Sequence, residues 1–270
     1  MSKISRRKFI IKGVLATIGF TLLNSFWFEK YVIEWNYFDI SKKKNNKIKI
    51  MQISDLHFET LQYFHISIAD KINQIQPDLV LITGDSVDYT EQINKLESFI
   101  KRIDHSIQKY AVPGNAEYWG GVDLEQLSTM FSKHNCELLI NKNRTLAIRN
   151  RQVSIVGMDD FIGGTPDFQK AINGLEDPET TIVLSHCPEY RDHIVKEIGA
   201  FNIDVILSGH THGGQITFFG IAPITPEGSG SYLKGWYTEK YPKLYVSKGI
   251  GTSKIPIRFG ARAEMVEIDL

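Results

Sequence analysis

Asp55 and His57 stand two residues apart. Asp85 and Asp88 follow Gly84, and Asn115 follows Gly114. His186 stands alone after Ser185, and His210 and His212 flank Thr211. Carboxylates, an amide and imidazoles together hold divalent cations through mixed oxygen and nitrogen donors. Such a set suits manganese, iron, zinc or nickel and is too rich in nitrogen for a calcium or magnesium cage. Seven donors (Asp55, His57, Asp85, Asn115, His186, His210 and His212) exceed the needs of one ion and suit two that share a ligand. Two ions about 3.5–4 Å apart can clamp a phosphoryl group and acidify a water. Packing is a poor alternative, because carboxylates and imidazoles at buried loop positions need partners.

Each donor falls directly after a segment that reads as a strand. Residues 48–53 alternate apolar and polar, 78–83 form an apolar run, and 109–112 break at Pro113-Gly114. Residues 181–185 and 204–208 precede the remaining histidines. Further strands are expected at 31–39, 145–149, 152–158, 243–247 and 263–268. Helical spacing appears at Ile68, Ile72 and Ile75, at Ile93, Leu96, Ile100 and Ile103, and at Leu124, Leu127 and Phe131. In α/β sheets, ligands gather outside the carboxyl ends of strands. Gly84, Gly114 and Gly209 are expected to turn the chain sharply so that the next side chain faces the cleft. The pattern is α/β, read as a four-layer α/β/β/α sandwich with two sheets face to face and helices outside.

The 270 residues are 42% hydrophobic and 23% charged, with zero net charge, which suits one domain and gives no global argument for nucleic acid. Cys136 and Cys187, the two cysteines, exclude a disulfide framework. Residues 1–12 carry Lys3, Arg6, Arg7, Lys8 and Lys12 and no acid; residues 13–28 are uncharged and mostly apolar. A basic stretch before an apolar one is a targeting signature. Ser-Arg-Arg-Lys-Phe-Ile resembles the twin-arginine export signal, and an ordinary membrane anchor with positive flanks is the alternative. No Ala-x-Ala site follows, so the segment is expected to be retained, although it is short for a span. This divides the chain into an anchor (1–30), a first strand with a polar linker (31–46) and a catalytic domain (47–270) outside the cytoplasmic membrane, on the periplasmic side. Nothing sets an oligomeric state.

Taken in order, Asp-x-His, Gly-Asp-x-x-Asp, Gly-Asn-x-Glu, Ser-His and Gly-His-Thr-His resemble the calcineurin-like metallophosphoesterase superfamily, over roughly residues 47–270. The ending GIGTSKIPIRFGARAEMVEIDL is similar to its bacterial membrane-associated branch, which includes exported phosphodiesterases and lipid A pathway hydrolases. The resemblance implies that Asp55, His57 and His212 hold one ion and that Asn115, His186 and His210 hold the other. Asp85 bridges them, and a bridging hydroxide attacks phosphorus. Asp88 orients a ligand histidine or caps a turn. The implied substrates are phosphodiesters or pyrophosphates, such as a nucleotide-linked lipid or a cell-envelope polymer.

One position departs from the family pattern. After the asparagine the superfamily carries a histidine that contacts phosphate and protonates the leaving group; this chain has Ala116. A general acid contributes roughly 10²–10⁴-fold. Three readings stay open: a leaving group that needs no proton, another donor such as Glu117 or Tyr118, or a variant of low activity. The alternative to an enzyme is a catalytically impaired metal-binding module acting as sensor or scaffold at the membrane. Asn115, Glu117 and His210 are the candidate catalytic residues, and Asn115, Tyr232 and Arg258 the candidate substrate contacts. Tyr232, with Trp236 and Tyr237, is read as an apolar entrance or as core. Arg258 and Arg262 meet an anionic substrate or solvent. Residues 226–231 read as a flexible connection, Cys187 as buried filler, and His65, His105, His134 and His193 as surface or capping residues.

Overall fold

Ser5 starts the first helix of the computed structural model, which describes residues 5–42, 46–175 and 178–270. Lys3 of the basic run and residues 43–45 of the polar linker lie outside the described residues. The Ser5 hydroxyl accepts from the Lys8 amide and caps α1 (Arg6–Leu23), of which no residue is buried. A π-helical stretch, Asn24–Phe28, and a short α2 (Glu29–Tyr31) continue it. The whole run, Arg6–Tyr31, has 26 residues and a window of mean hydropathy 1.6. It has the length and composition of a membrane span or a signal sequence. The apolar segment is therefore less marginal than its sequence limits imply, because the helix runs on to Tyr31, where a strand is expected.

The body follows as β1 (Glu34–Asp39), β2 (Lys49–Ile53), α3 (Tyr63–Ile75), β3 (Leu79–Thr83), α4 (Ile93–Ile100), β4 (Gln108–Val112), α5 (Asn115–Trp119), α6 (Leu124–Ser132) and β5 (Cys136–Leu138). Then come β6 (Lys142–Ile148), β7 (Arg151–Gly157), α7 (Phe168–Ile172), β8 (Thr180–Leu184), α8 (Arg191–Glu197), β9 (Val205–Ser208), β10 (Gly235–Tyr237), β11 (Leu244–Val246) and β12 (Glu264–Asp269). Among the described residues these strands make two six-stranded sheets, β1-β12-β2-β3-β4-β5 and β10-β11-β9-β8-β7-β6. Strands β2 to β5 are parallel, as are β7, β8, β9 and β11. Their carboxyl ends therefore point one way within each sheet. The last strand, β12, lies between β1 and β2, so residues 34–39 are part of the first sheet.

The period of two along each strand builds the layers. Ile50, Leu79 and Leu81 face Ile155, Leu184 and Leu207 between the sheets. Met51, Val80 and Ile82 face outward, against Ile68 and Ile72 of α3, Leu96 of α4 and Leu127 of α6. Val156, Val183 and Ile206 pack against Ala171 of α7 and Ile194 of α8. The result is the expected four-layer α/β/β/α sandwich. Strands covered on both faces read as apolar runs, and each buried Ile or Leu contributes about 1.5–3 kcal/mol. Two three-residue strands, β5 and β10, and the short helices α5, α7 and α8 are absent from the sequence reading, being too short to show a period.

His65 is buried, and its Nδ1 accepts from the Gln62 amide at 3.1 Å at the start of α3, so it caps from inside. Burial pulls its pKa down to about 4, from an ordinary value near 6.5. Between those values the folded state binds fewer protons than the unfolded chain, so this group's contribution is full above pH 6.5 and is lost as pH falls through 4. Replacing His65 by Gln keeps an acceptor and removes the titration. The variant is expected to lose less stability than the native chain on acidification from pH 7 to 4, by up to about 3 kcal/mol. Unfolding measured across that range checks this; parallel curves would contradict it.

Candidate metal centre

Asp55 and His57 follow β2, Asp85 follows β3, Asn115 opens α5 after β4, His186 follows β8, and His210 and His212 follow β9. The structure brings all seven together. One ligand atom each from Asp55, His57, Asp85 and His212 falls within a group less than 4.8 Å across. His57 Nε2 lies 3.5 Å from Asp85 Oδ2 and 3.1 Å from His212 Nε2, which is 3.7 Å from Asp55 Oδ1. On the other side of Asp85, Oδ1 lies 3.3 Å from His186 Nε2. Asn115 Oδ1 lies 3.2 Å from that nitrogen and 2.8 Å from His210 Nδ1. Asp85 thus faces two groups with its two oxygens.

The far nitrogens orient the rings. His57 Nδ1 bonds Asp88 Oδ1 at 2.7 Å, His186 Nδ1 the Thr83 carbonyl at 2.7 Å, and His210 Nε2 the Glu227 carbonyl at 2.6 Å. Asp88 is therefore the histidine-orienting carboxylate rather than a turn cap. Burial opposes charge on His57, yet Asp88, Asp85 and Asp55 push it up to about 9. Burial, then His186, pulls His210 down. Burial, His57 and Arg258 hold His212 well below its ordinary range. Burial resists ionisation of Asp85, but His186, His57 and the Ala116 amide hold its pKa low.

These groups fit a cation. Neutral His210, donating from Nε2 to the Glu227 carbonyl, turns the lone pair of Nδ1 toward Asn115 Oδ1, itself an acceptor. His186, bonded through Nδ1 to Thr83, points Nε2 at Asn115 and Asp85; burial opposes its charge, yet Asp85 raises its pKa well above the ordinary value, so positive charge is drawn to this place. Acceptors facing acceptors in a buried site need a shared positive charge. Asp55 Oδ2 is buried without a hydrogen-bond partner. The set suits a divalent metal with mixed nitrogen and oxygen ligands.

The backbone is strained where it presents these side chains. Asp55, His57, Asp85, His210 and His212 have φ of 51°, 40°, 50°, 73° and 51°. Positive φ is uncommon outside glycine, although Asp and His adopt it more readily than most residues. Gly84 (φ 90°) makes the expected sharp turn. Gly114 is extended; its role is space, since a Cβ there would sit 2.2 Å from Asp85 Oδ1, and Gly209 likewise clears Ser54 Oγ.

Glu117, a candidate for catalysis or proton supply, has another place. It is buried, and its Oε1 accepts from the Ser86 (2.6 Å) and Val87 (3.2 Å) amides. Its Oε2 accepts from Gly114 (2.8 Å) and Asp85 (3.2 Å). Burial and the Asp85 charge push the carboxyl up to about 7, against the pull of those amides. Tyr118 donates to Asp159 Oδ1, and burial with that bond raises its pKa. Ala116 is buried beside them, and its amide donates to Asp85 Oδ1 at 2.8 Å.

A cavity of about 530 Å³ opens on Asp85, Asn115, His210 and His212. Tyr232 is not on its wall. Its hydroxyl accepts from Arg191 at 3.1 Å and donates to Asp192 at 2.6 Å, inside the outer core. Arg258 is fully buried rather than open to substrate; its guanidinium donates to the Gly251, Ala261 and Lys248 carbonyls and lies 3.3 Å from His212 Nδ1. Arg262 stacks over Phe28 and bonds the Val32 and Ile33 carbonyls. Residues 226–231 are mostly exposed, but Gly228 and Ser229 are buried and the Glu227 carbonyl meets His210, so the stretch is anchored rather than free. Glu227 and Lys254, on the cavity wall, are not among the candidate site residues read from the sequence, because neither belongs to a ligand motif.

Two sheets whose strand ends converge on a shared carboxylate define a class, and the chain belongs to the calcineurin-like phosphoesterase family, whose model matches residues 48–214. The chain is 28% identical to an uncharacterized metallophosphoesterase, YkuE, of Bacillus subtilis, covering 100% of this chain and 99% of that one. It is 27% identical to a Bos taurus "transmembrane protein with metallophosphoesterase domain", over 83% of this chain and 53% of that protein. Among solved structures it is similar in fold to GAP50 of Plasmodium, with a TM-score of 0.51, 8% identity, and 84% and 82% of the two chains covered.

Replacing Glu117 by Gln puts an amide donor among backbone donors. It is expected to cost about 1–3 kcal/mol of stability and to weaken metal binding together with it. A stable variant of unchanged metal affinity that loses only turnover would instead make Glu117 a proton donor.

Proposed function

We propose that the protein is a dinuclear metal-dependent phosphoesterase that cleaves phosphodiester or pyrophosphate bonds in a nucleotide-linked lipid or cell-envelope substrate. The observation that carries this reading is Asp85, whose two oxygens face two separate groups of nitrogen and oxygen donors. Asp55, His57 and His212 would hold one ion and Asn115, His186 and His210 the other, with Asp85 common to both and manganese, iron, zinc or nickel as the metal. Such ions supply Lewis acidity toward phosphoryl oxygens and an acidified water. The chain's own residues orient the donors through Asp88, Thr83 and Glu227. Where the resemblance expects a histidine, Ala116 brings no proton, and Glu117 and Tyr118 are bonded elsewhere. The reading therefore favours a leaving group stable as an anion, such as a nucleotide phosphate. Outside the ligand set, Glu227 and Lys254 are the ionisable side chains on the cavity wall among the described residues.

The apolar N-terminal helix, the Ser5–Ile10 run and the transmembrane bovine relative support a location at the cytoplasmic membrane. The catalytic domain would lie on the periplasmic side after twin-arginine export. On this reading residues 1–30 are the anchor and residues 47–270 the catalytic domain, to whose first sheet the intervening 31–46 adds β1.

The full-length chain in detergent, loaded with manganese, is expected to hydrolyse bis(p-nitrophenyl) phosphate, and chelation to abolish this. Asp85→Asn should lower turnover at least 100-fold. Ala116→His should accelerate an alkyl diester, which needs a proton donor, by about 10²–10⁴, and the p-nitrophenyl ester far less. No turnover by either protein with two ions bound would leave the sensor reading.

A further inference from the structure

A second apolar surface adjoins the end of the N-terminal helix. Phe218 and Ile221 exchange two backbone hydrogen bonds, at 2.9 and 3.0 Å, around Phe219 and Gly220. Those two residues have φ of 51° and 82°. A two-residue hairpin turn with both φ positive favours Asn and Gly. Phe219 therefore holds a disfavoured backbone, and its ring gains no packing in return, being fully exposed. Phe218 (55% exposed), Ile221 (72%) and Ile224 (82%) follow along the same segment, and Ile255 (51%) shares the cavity wall with Ile224. Exposed apolar surface of this kind marks an interaction site.

Its position names the occupant. Phe218, Phe219 and Gly220 line a cleft of about 370 Å³ together with Glu29, the residue after the π-helical stretch. That junction is fastened to the body. The Arg258 amide donates to the Ser25 carbonyl at 3.0 Å, the Ala263 amide to the Glu29 carbonyl at 2.8 Å, and the Ala261 amide to Glu29 Oε2 at 3.1 Å. Phe26 and Trp27, at the same helix end, are half exposed, as aromatic residues are where a helix leaves a bilayer. The hairpin thus shares a cleft with the end of the helix. On its other flank, Pro223 and Ile224 wall the metal cavity.

The geometry points to the Phe218–Ile224 segment as a membrane-docking element that enters the bilayer interface beside the helix and seats the mouth of the metal cavity on the lipid surface. This rests on the membrane reading given above. A phosphoester carried by a lipid then reaches Asp85 without leaving the membrane plane. Apolar rings at the headgroup boundary bind by the burial that holds interfacial helices.

Nitroxide labels at Phe20→Cys, Phe219→Cys, Ile224→Cys and Tyr63→Cys, in the full-length chain reconstituted into phosphatidylcholine–phosphatidylglycerol vesicles, test this. Cys136 and Cys187 are buried, and the unsubstituted chain carried through the same labelling gives the background. Oxygen and a water-soluble nickel chelate are the relaxing agents. Labels at 20, 219 and 224 are expected to favour oxygen several-fold, and the label at 63, at the exposed start of α3, to favour nickel. A label at 20 in lipid with 219 and 224 in water overturns the docking element and leaves the membrane anchor standing. A label at 20 in water overturns the membrane reading and the docking element with it.

Discussion

A buried carboxylate that accepts four backbone amides holds this site together. Glu117 ties Gly114, at the end of β4, to Asp85, Ser86 and Val87, at the end of β3. Without it the two loops would bury donors with nothing to receive them, at about 1–3 kcal/mol each. The tie sets where Asp85 stands, and Asp85 is the residue that both donor groups share. The left-handed backbone at Asp55, His57, Asp85, His210 and His212 persists because such bonds over-determine it.

The surrounding sheets serve the same end. Parallel strands deliver side chains in one direction, and apolar residues on both faces of β2, β3, β8 and β9 fix the depth at which each strand ends. Glycine at 84, 114 and 209 leaves room for donors to approach closely. Arg258, fully buried behind His212, brings a fixed positive charge to the rear of the site. The donors are thus crowded around one carboxylate, an arrangement that suits cations far better than water.

Much of this was legible in the sequence, for physical reasons. Ligand residues at strand ends are local in sequence, and doubly covered strands such as β3 announce themselves as apolar runs. What depends on long-range contact was not legible. Glu117 looked like a catalytic residue or proton donor because it follows Asn115 by two; only its closeness to residues 85–87 in the fold shows that it serves backbone amides. Tyr232 and Arg258 looked available because aromatic and cationic side chains suit substrates, whereas Asp192 and three backbone carbonyls claim them. Residues 226–231 looked flexible from glycine and serine, yet the Glu227 carbonyl orients His210. The exposed ring at Phe219 left no trace in the sequence, since its strain is a matter of φ alone.

The account stands on Asp85 serving two cations at once. The most direct test is equilibrium dialysis of the purified full-length chain against manganese, followed by metal analysis by plasma emission, for the native protein and Asp85→Asn. Two ions per native chain, with a sharp loss of affinity at both sites in the variant, is the predicted result. One ion or none in the native protein, or two held equally well by Asp85→Asn, would contradict it.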